Sequence, residues 1–189
     1  MPLHGSLKDK YRIKTPCILH VSNFEPAKNI SSILKAFYKA RKMGLPHTLI
    51  MVGYGPDFKK ALRIAEELGL KGKVVFTGHL EEDLPKLYNI SDMLIFPSLY
   101  EGFGFPLLEA MSCGTPVITS NIYAMPEIVK DSALLVNPLD IDDIARGICE
   151  LAFNEDLRKE LAKKGMERAK FFSWRRCAEE HMKLYEEIS

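Results

Sequence analysis

CILHVSNFEPAKNISSILKAFYKARKMGLPHTLIMVG, residues 17–53, carries two different periods in one stretch. Its ends, "CILHV" and "TLIMVG", are short apolar runs and predict strands. Between them Ile30, Ile33, Leu34 and Phe37 fall at the i, i+3, i+4, i+7 spacing of one helical face. A strand, a helix and a strand in that order form a crossover unit, whose two strands run parallel.

The same alternation continues outward. "FKKALRIAEELG" predicts a helix stopped by Gly69, "KVVFTG" (73–78) a strand, "EDLPKLYNI" a short helix, and "DMLIFPS" (92–98) a strand. Pro106 opens a helix through Met111, "PVITS" (116–120) is a strand, "MPEIVKD" a short helix and "ALLVNP" (133–138) a strand. Three helical stretches follow, 141–153, 156–171 and 174–188; in the last, Ala178, His181, Met182 and Tyr185 mark one apolar face. Six strands, each followed by a helix, predict the α/β class: a doubly wound, parallel, Rossmann-like sheet of about six strands with C-terminal helices. Ligands of such sheets sit at the carboxyl ends of the strands.

The 189 residues suffice for one domain, and 47% hydrophobic content suffices for its core. A net charge of +1 gives no support to nucleic-acid binding, which shows a strong basic excess. Cys17, Cys113, Cys149 and Cys177 have the spacing of neither a zinc site nor a disulfide framework. Reduced thiols in a cytoplasmic protein are the expectation. The start, MPLHGSLKDKYRIK, lacks the apolar region of a signal peptide, and no apolar run approaches the roughly 20 residues that span a bilayer. A protein that is soluble, or at most peripheral to a membrane, is expected.

Three loops after strands carry unusual residues. In "SNFEPAKN" (22–29), Lys28 stands at the mouth of a helix, facing an anion or simply solvated. In "GYGP" (53–56), Gly53 and Gly55 permit close approach of a ligand or an ordinary turn. In "LYEGFG" (99–104), Glu101 precedes a helix that holds Glu109 one turn in, with no basic neighbour in the stretch. Amides from Gly102 through Phe103 and Gly104 to Phe105 would point out of a helix N-terminus, where an anion binds, and the glycines let a phosphate come near. Each carboxylate can accept from two vicinal hydroxyls. A ligand with sugar, diphosphate and ribose in series suits this set; a helix-dipole role for Glu109 and a solvated Glu101 suit it equally.

"SLYEGFGFPLLEAMSCGTPVITSN" (98–121) closely resembles the E-x7-E segment of retaining glycosyltransferases of the GT-B fold, also called group 1 or family 4. "VSNFEPAKN", "LIMVGYGP", "VVFTGHLEEDLPKLYNISDMLIFPS", "MPEIVKDSALLVNPLD" and "FSWRRCAEEHMKLYEE" resemble further landmarks of that family in the same order. The resemblance implies the C-terminal, nucleotide-sugar-binding half of a two-domain, metal-independent enzyme with no cofactor. It implies Glu109 on the ribose hydroxyls, Glu101 beside the donor sugar, and Lys28 on the diphosphate. The amides of Gly102, Phe103 and Gly104 would serve the sugar and distal phosphate, and His79 and Leu80 the base edge. The donor it implies is GDP-mannose, or a UDP-glucose-type nucleotide sugar. Residues 1–14 would be a linker remnant, 15–172 the binding domain and 173–189 a helix crossing to an N-terminal acceptor domain, supplied elsewhere or by a partner chain.

Relatives usually pair Lys28 with an arginine where this chain has Asn23 or Ala27, so the expected phosphate clamp is weaker here. The eight lysines and arginines from Arg158 to Arg176 are either a solvated face or a contact with anionic lipid. A non-catalytic nucleotide-sugar-binding subunit and a GT-B nucleotide-sugar epimerase are the rival readings.

Overall fold

The computed structural model of the chain describes residues 4–11, 13, 16–80 and 82–188. The expected boundary between residues 14 and 15 lies outside them. Six parallel strands form one sheet: β1 Cys17–Val21, β2 Thr48–Val52, β3 Val74–Gly78, β4 Met93–Phe96, β5 Val117–Ser120 and β6 Leu134–Val136. Their order across the sheet is β3-β2-β1-β4-β5-β6. The predicted doubly wound sheet is therefore what the chain forms.

Strand ends follow from proline and glycine. Pro116 lies just before β5, and β4 stops at Phe96 because Pro97 has no N–H to give the ladder. β2 stops one residue short of the predicted end, and Gly53 instead makes an isolated bridge to Gly78.

Alternate side chains along the strands feed two cores. Ile18, Met51, Ile95, Ile118 and Val136 face α2 (Ile30–Lys42), α3 (Phe58–Glu67) and α7 (Ile141–Phe153). Leu19, Ile50, Val52, Leu94, Phe96 and Val117 face α4 (Leu84–Ile90), α5 (Phe105–Ser112) and α6 (Met125–Val129). Both faces are covered, which is why the strands read as apolar runs rather than as alternation. α8 (Glu155–Ala169) crosses α5 closely: a Cβ on Gly165 would lie 3.1 Å from Met111 Cγ.

Both ends of the chain are helical. His4–Tyr11, expected only as linker, forms a helix, α1, with Leu7 buried. It is held by the Asp83 carboxylate, which accepts from Lys10 Nζ at 2.6 Å, Tyr11 Oη at 2.9 Å and Lys86 Nζ at 2.8 Å. Those donors hold Asp83 well below the usual carboxylate range. At the other end α9 (Trp174–Glu187) forms as predicted, but Ala178, His181, Met182 and Tyr185 are all exposed. An open groove of about 1000 Å³ beside it is lined by residues that include Phe105, Arg168, Phe172 and Trp174. Among the described residues no helix is long and apolar enough to cross a membrane.

Candidate functional site

After β1 the chain moves to β2 and β3 on one side, then returns to place β4 on the other side of β1. The loops leaving β1 and β4 thus diverge, and the crevice between them is the switch point of the sheet. Lys28 comes from the first loop and Glu101 from the second. Their side chains meet at 2.6 Å, with 16% and 12% of their surfaces exposed. Seventy-three positions separate them in sequence. The carboxylate that has no basic neighbour in its own stretch therefore has one in the fold.

The backbone around the pair is firmly held. Lys28 ends a 3₁₀ turn, Pro26–Lys28, and Asn29 follows in the left-handed region at φ 59°. Asn29 is buried, and its side-chain amide donates to Pro97 O at 3.1 Å and Pro138 O at 2.8 Å. Leu99 N donates to Ala27 O at 2.7 Å. Asparagine tolerates this backbone better than most residues, and its two N–H groups bind three loops into one rim. Nothing in the periodicity signals this role.

A second set of bonds sets the path between β1 and Lys28. Ile95 O can only accept, so the fully buried His20 carries its proton on Nδ1, 2.9 Å away. Nε2 must then accept from Ser22 Oγ at 2.8 Å, and Ser22 Oγ accepts from Phe24 N at 3.3 Å. Phe24 has φ 48° and a buried ring against Phe58 and Phe76.

Burial pushes the His20 pKa down to about 4. As pH falls from about 6.5 the unfolded chain takes up a proton that the folded chain refuses, so stability is lost until pH reaches about 4. A difference of that size corresponds to about 3 kcal/mol. Urea midpoints between pH 7 and pH 4 should therefore fall more steeply for wild type than for His20→Asn. Equal slopes would remove His20 from the account.

Glu109 lies on α5, one turn in as predicted, and accepts from Tyr88 Oη on α4 at 2.7 Å. Burial first, then the Glu109 carboxylate, raises the Tyr88 pKa well above its ordinary value, so the phenol stays a donor. Tyr88 was not among the predicted site residues, because its position reads as helix core.

The predicted glycines divide. A Cβ on Gly53 would lie 1.7 Å from Ser22 O, and one on Gly55 1.7 Å from Asn23 O. The chain's own backbone makes the close approach that these two glycines permit, and this alone requires glycine at both positions. Gly102 has open space where its Cβ would be, so the fold itself makes no such demand there. Gly104, at φ 91°, caps α5 and packs on Met125. The Phe103 ring packs against Phe105 and Phe172, which leaves its backbone as the part available at the rim. In the first turn of α5 Pro106 has no N–H and Leu107 N donates to Gly104 O at 3.0 Å, so Phe105 carries the first-turn amide that has no acceptor inside the helix.

His79 and Leu80 directly follow the edge strand β3, two strands from β1, with His79 exposed and Leu80 packed on the second core. That spacing is roughly 10 Å across the sheet. Asn23 is exposed and Ala27 half-buried, and neither supplies the charge an arginine would.

The sequence matches the family described as glycosyl transferases group 1 over residues 6–168. O-antigen chain mannosyltransferase B of Escherichia coli is 35% identical over 170 residues, which are 88% of this chain and 45% of that protein. Serotype-specific mannosyltransferase WbdA of Escherichia coli is 36% identical over 178 residues, 92% of this chain and 22% of that protein. The chain thus spans less than half the length of either curated relative. Among solved structures, sucrose-phosphate synthase from Thermosynechococcus elongatus superposes with a TM-score of 0.81 at 28% identity, covering 96% of this chain and 48% of that one. A C-terminal domain of a glycosyl transferase group 1 family protein from Francisella tularensis superposes at 0.76 with 25% identity, covering 87% of this chain and 89% of that one. Fold, motif order and sequence agree, and the chain belongs to the group 1 glycosyl transferases.

Proposed function

We propose that this chain is the donor-binding half of a retaining, metal-independent hexosyltransferase. It would hold a nucleoside diphosphate sugar, GDP-mannose first and UDP-glucose second, for transfer of the hexose to an acceptor hydroxyl. The observation that carries this reading is the Lys28–Glu101 pair at the β1/β4 switch point, beside the first turn of α5. One cation flanked by helix amides suits a diphosphate, and a carboxylate on each side suits the polyol at each end.

As the sugar–phosphate bond breaks, the anomeric carbon gains oxocarbenium character and charge builds on the departing diphosphate. Lys28 and the amides from Gly102 to Phe105 stabilise that charge. Before the donor arrives, Glu101 holds the Lys28 ammonium in the crevice. With the donor bound, the ammonium lies between diphosphate and carboxylate. Glu109 takes the ribose hydroxyls, oriented by Tyr88, and the base extends toward His79 and Leu80. The apolar face of α9, exposed at Ala178, His181, Met182 and Tyr185, is where we place the acceptor-binding half.

Calorimetry on the chain with GDP, UDP, GDP-mannose, UDP-glucose and the two free nucleosides tests this. One base series should bind, and Lys28→Ala should weaken its diphosphates about tenfold or more while leaving its nucleoside unchanged. Equal diphosphate binding by wild type and Lys28→Ala would remove the phosphate role.

A further inference from the structure

Two tyrosines stand uncovered on the rim that carries the Lys28–Glu101 pair. Tyr100 immediately precedes Glu101 in the loop after β4, and Tyr123 lies in the loop after the adjacent strand β5. Their ring centroids are 5.2 Å apart and the rings are nearly perpendicular, at 76°. Yet 62% of Tyr100 and 64% of Tyr123 remain exposed. The rings of Phe24 and Phe103, by contrast, are packed into the body of the protein.

The pair is held in place from below. Met125, buried two residues after Tyr123, would lie 3.2 Å from a Cβ on Gly104, so the two loops are packed against each other. Tyr123 itself has φ 55°, a left-handed conformation that a bulky residue rarely adopts. Strain of this kind persists where surrounding structure fixes it, and it gathers at ligand sites. Here it sets an aromatic ring on a rim, where it contributes little to the core.

We propose that Tyr100 and Tyr123 form a stacking platform for a hexopyranose ring at the mouth of the site. This rests on the reading of Glu101 as the sugar-end carboxylate. An edge-to-face pair presents one open π-face with a phenolic hydroxyl beside it. The C–H face of a pyranose carries the partial positive charge that a π-face attracts, and its hydroxyls can pair with the phenols. A phosphate would meet the negative face of a ring and is disfavoured. A purine or pyrimidine could stack, but the base end of the ligand belongs toward Glu109 and β3. The ring received is therefore a hexose, either that of the donor or one in the acceptor.

The test uses the 189-residue chain with ¹³C-labelled tyrosine rings, Tyr100→Phe and Tyr123→Phe assigning the two signals. The ligands are GDP, UDP, GDP-mannose, UDP-glucose and α-1,2-mannobiose. A sugar-bearing ligand should move both signals, and the bare nucleotides should not. Movement with a nucleotide sugar alone identifies the donor hexose; movement with mannobiose identifies the acceptor. Tyr123→Asn, which keeps the left-handed backbone and removes the ring, should weaken that ligand about two- to tenfold and leave nucleotide affinity unchanged. The platform is overturned if no sugar moves the rings, or if a bare nucleotide moves them as far as its sugar conjugate. Wild type that binds no nucleotide but shows the mannobiose shift would sink the donor-binding reading and leave the platform standing.

Discussion

Gly53→Ala is expected to destabilise the fold by about 3 kcal/mol or more, the range of backbone-strain and overpacking lesions. The new Cβ would lie 1.7 Å from Ser22 O and 2.9 Å from Ser22 C, and both are main-chain atoms. A flexible side chain could swing aside, but these are main-chain atoms of segments tied to the neighbouring strands. Ser22 N donates to Val52 O at 3.0 Å, and Gly53 N donates to Gly78 O at 2.8 Å. Relief must therefore come from separating the β1 and β2 ends. In addition φ is 123° at Gly53, a conformation that disfavours any side chain. Gly72→Ala is the control: φ is 72° there, but the space is open, so the cost is the left-handed term alone, about 1–2 kcal/mol. Urea unfolding at pH 7 measures both. If Gly53→Ala costs no more than Gly72→Ala, the steric account of the β2–α3 loop is wrong. The displaced segment leads to Lys28, so loss of diphosphate affinity should accompany the loss of stability.

The glycine pair shows why some of the site could be read from sequence and some could not. "GYGP" announces a tight approach, but the approaching group comes from residues 22 and 23, some thirty positions earlier, and periodicity does not identify it. The strands and helices were legible because burial on both faces of the sheet leaves uninterrupted apolar runs, and because Pro97, Pro106 and Pro116 mark element ends. Strand order is set by packing between distant segments. Glu101 therefore reads as unpaired in its own stretch, while the reversal at β1/β4 gives it Lys28. Asn29 and His20 escaped for a related reason. Each acts through side-chain bonds to carbonyls of other loops or strands, and neither carries a pattern of its own. α1 escaped because its side chains are mostly polar and its hold on the body is Leu7 and the bonds to Asp83. The apolar face of α9 was legible, but the chain itself leaves that face open.

Glu109→Ala is expected to weaken binding of the preferred nucleoside diphosphate about 10- to 100-fold, the worth of a charge-assisted bond to hydroxyls lost from a partly buried site. Tyr88→Phe separates two meanings of that loss. Tyr88 Oη donates to Glu109 Oε2 at 2.7 Å, which leaves Oε1 and the remaining lone pairs for a ligand. Removing the phenol hydroxyl deletes the bond that orients the carboxylate without deleting the carboxylate. Nucleotide affinity should then fall only about threefold, while stability falls by about 1 kcal/mol for the lost buried bond. If instead Glu109 served only to satisfy Tyr88, Glu109→Ala would cost stability and leave affinity untouched, because the ribose would never have met it. A 2′-deoxynucleotide gives the decisive comparison. It should bind wild type more weakly than the ribonucleotide does, and Glu109→Ala should bind the two alike. Persistence of the ribose preference in Glu109→Ala would place the hydroxyl contacts elsewhere on the rim, and the assignment of the second glutamate to the ribose would have to be given up.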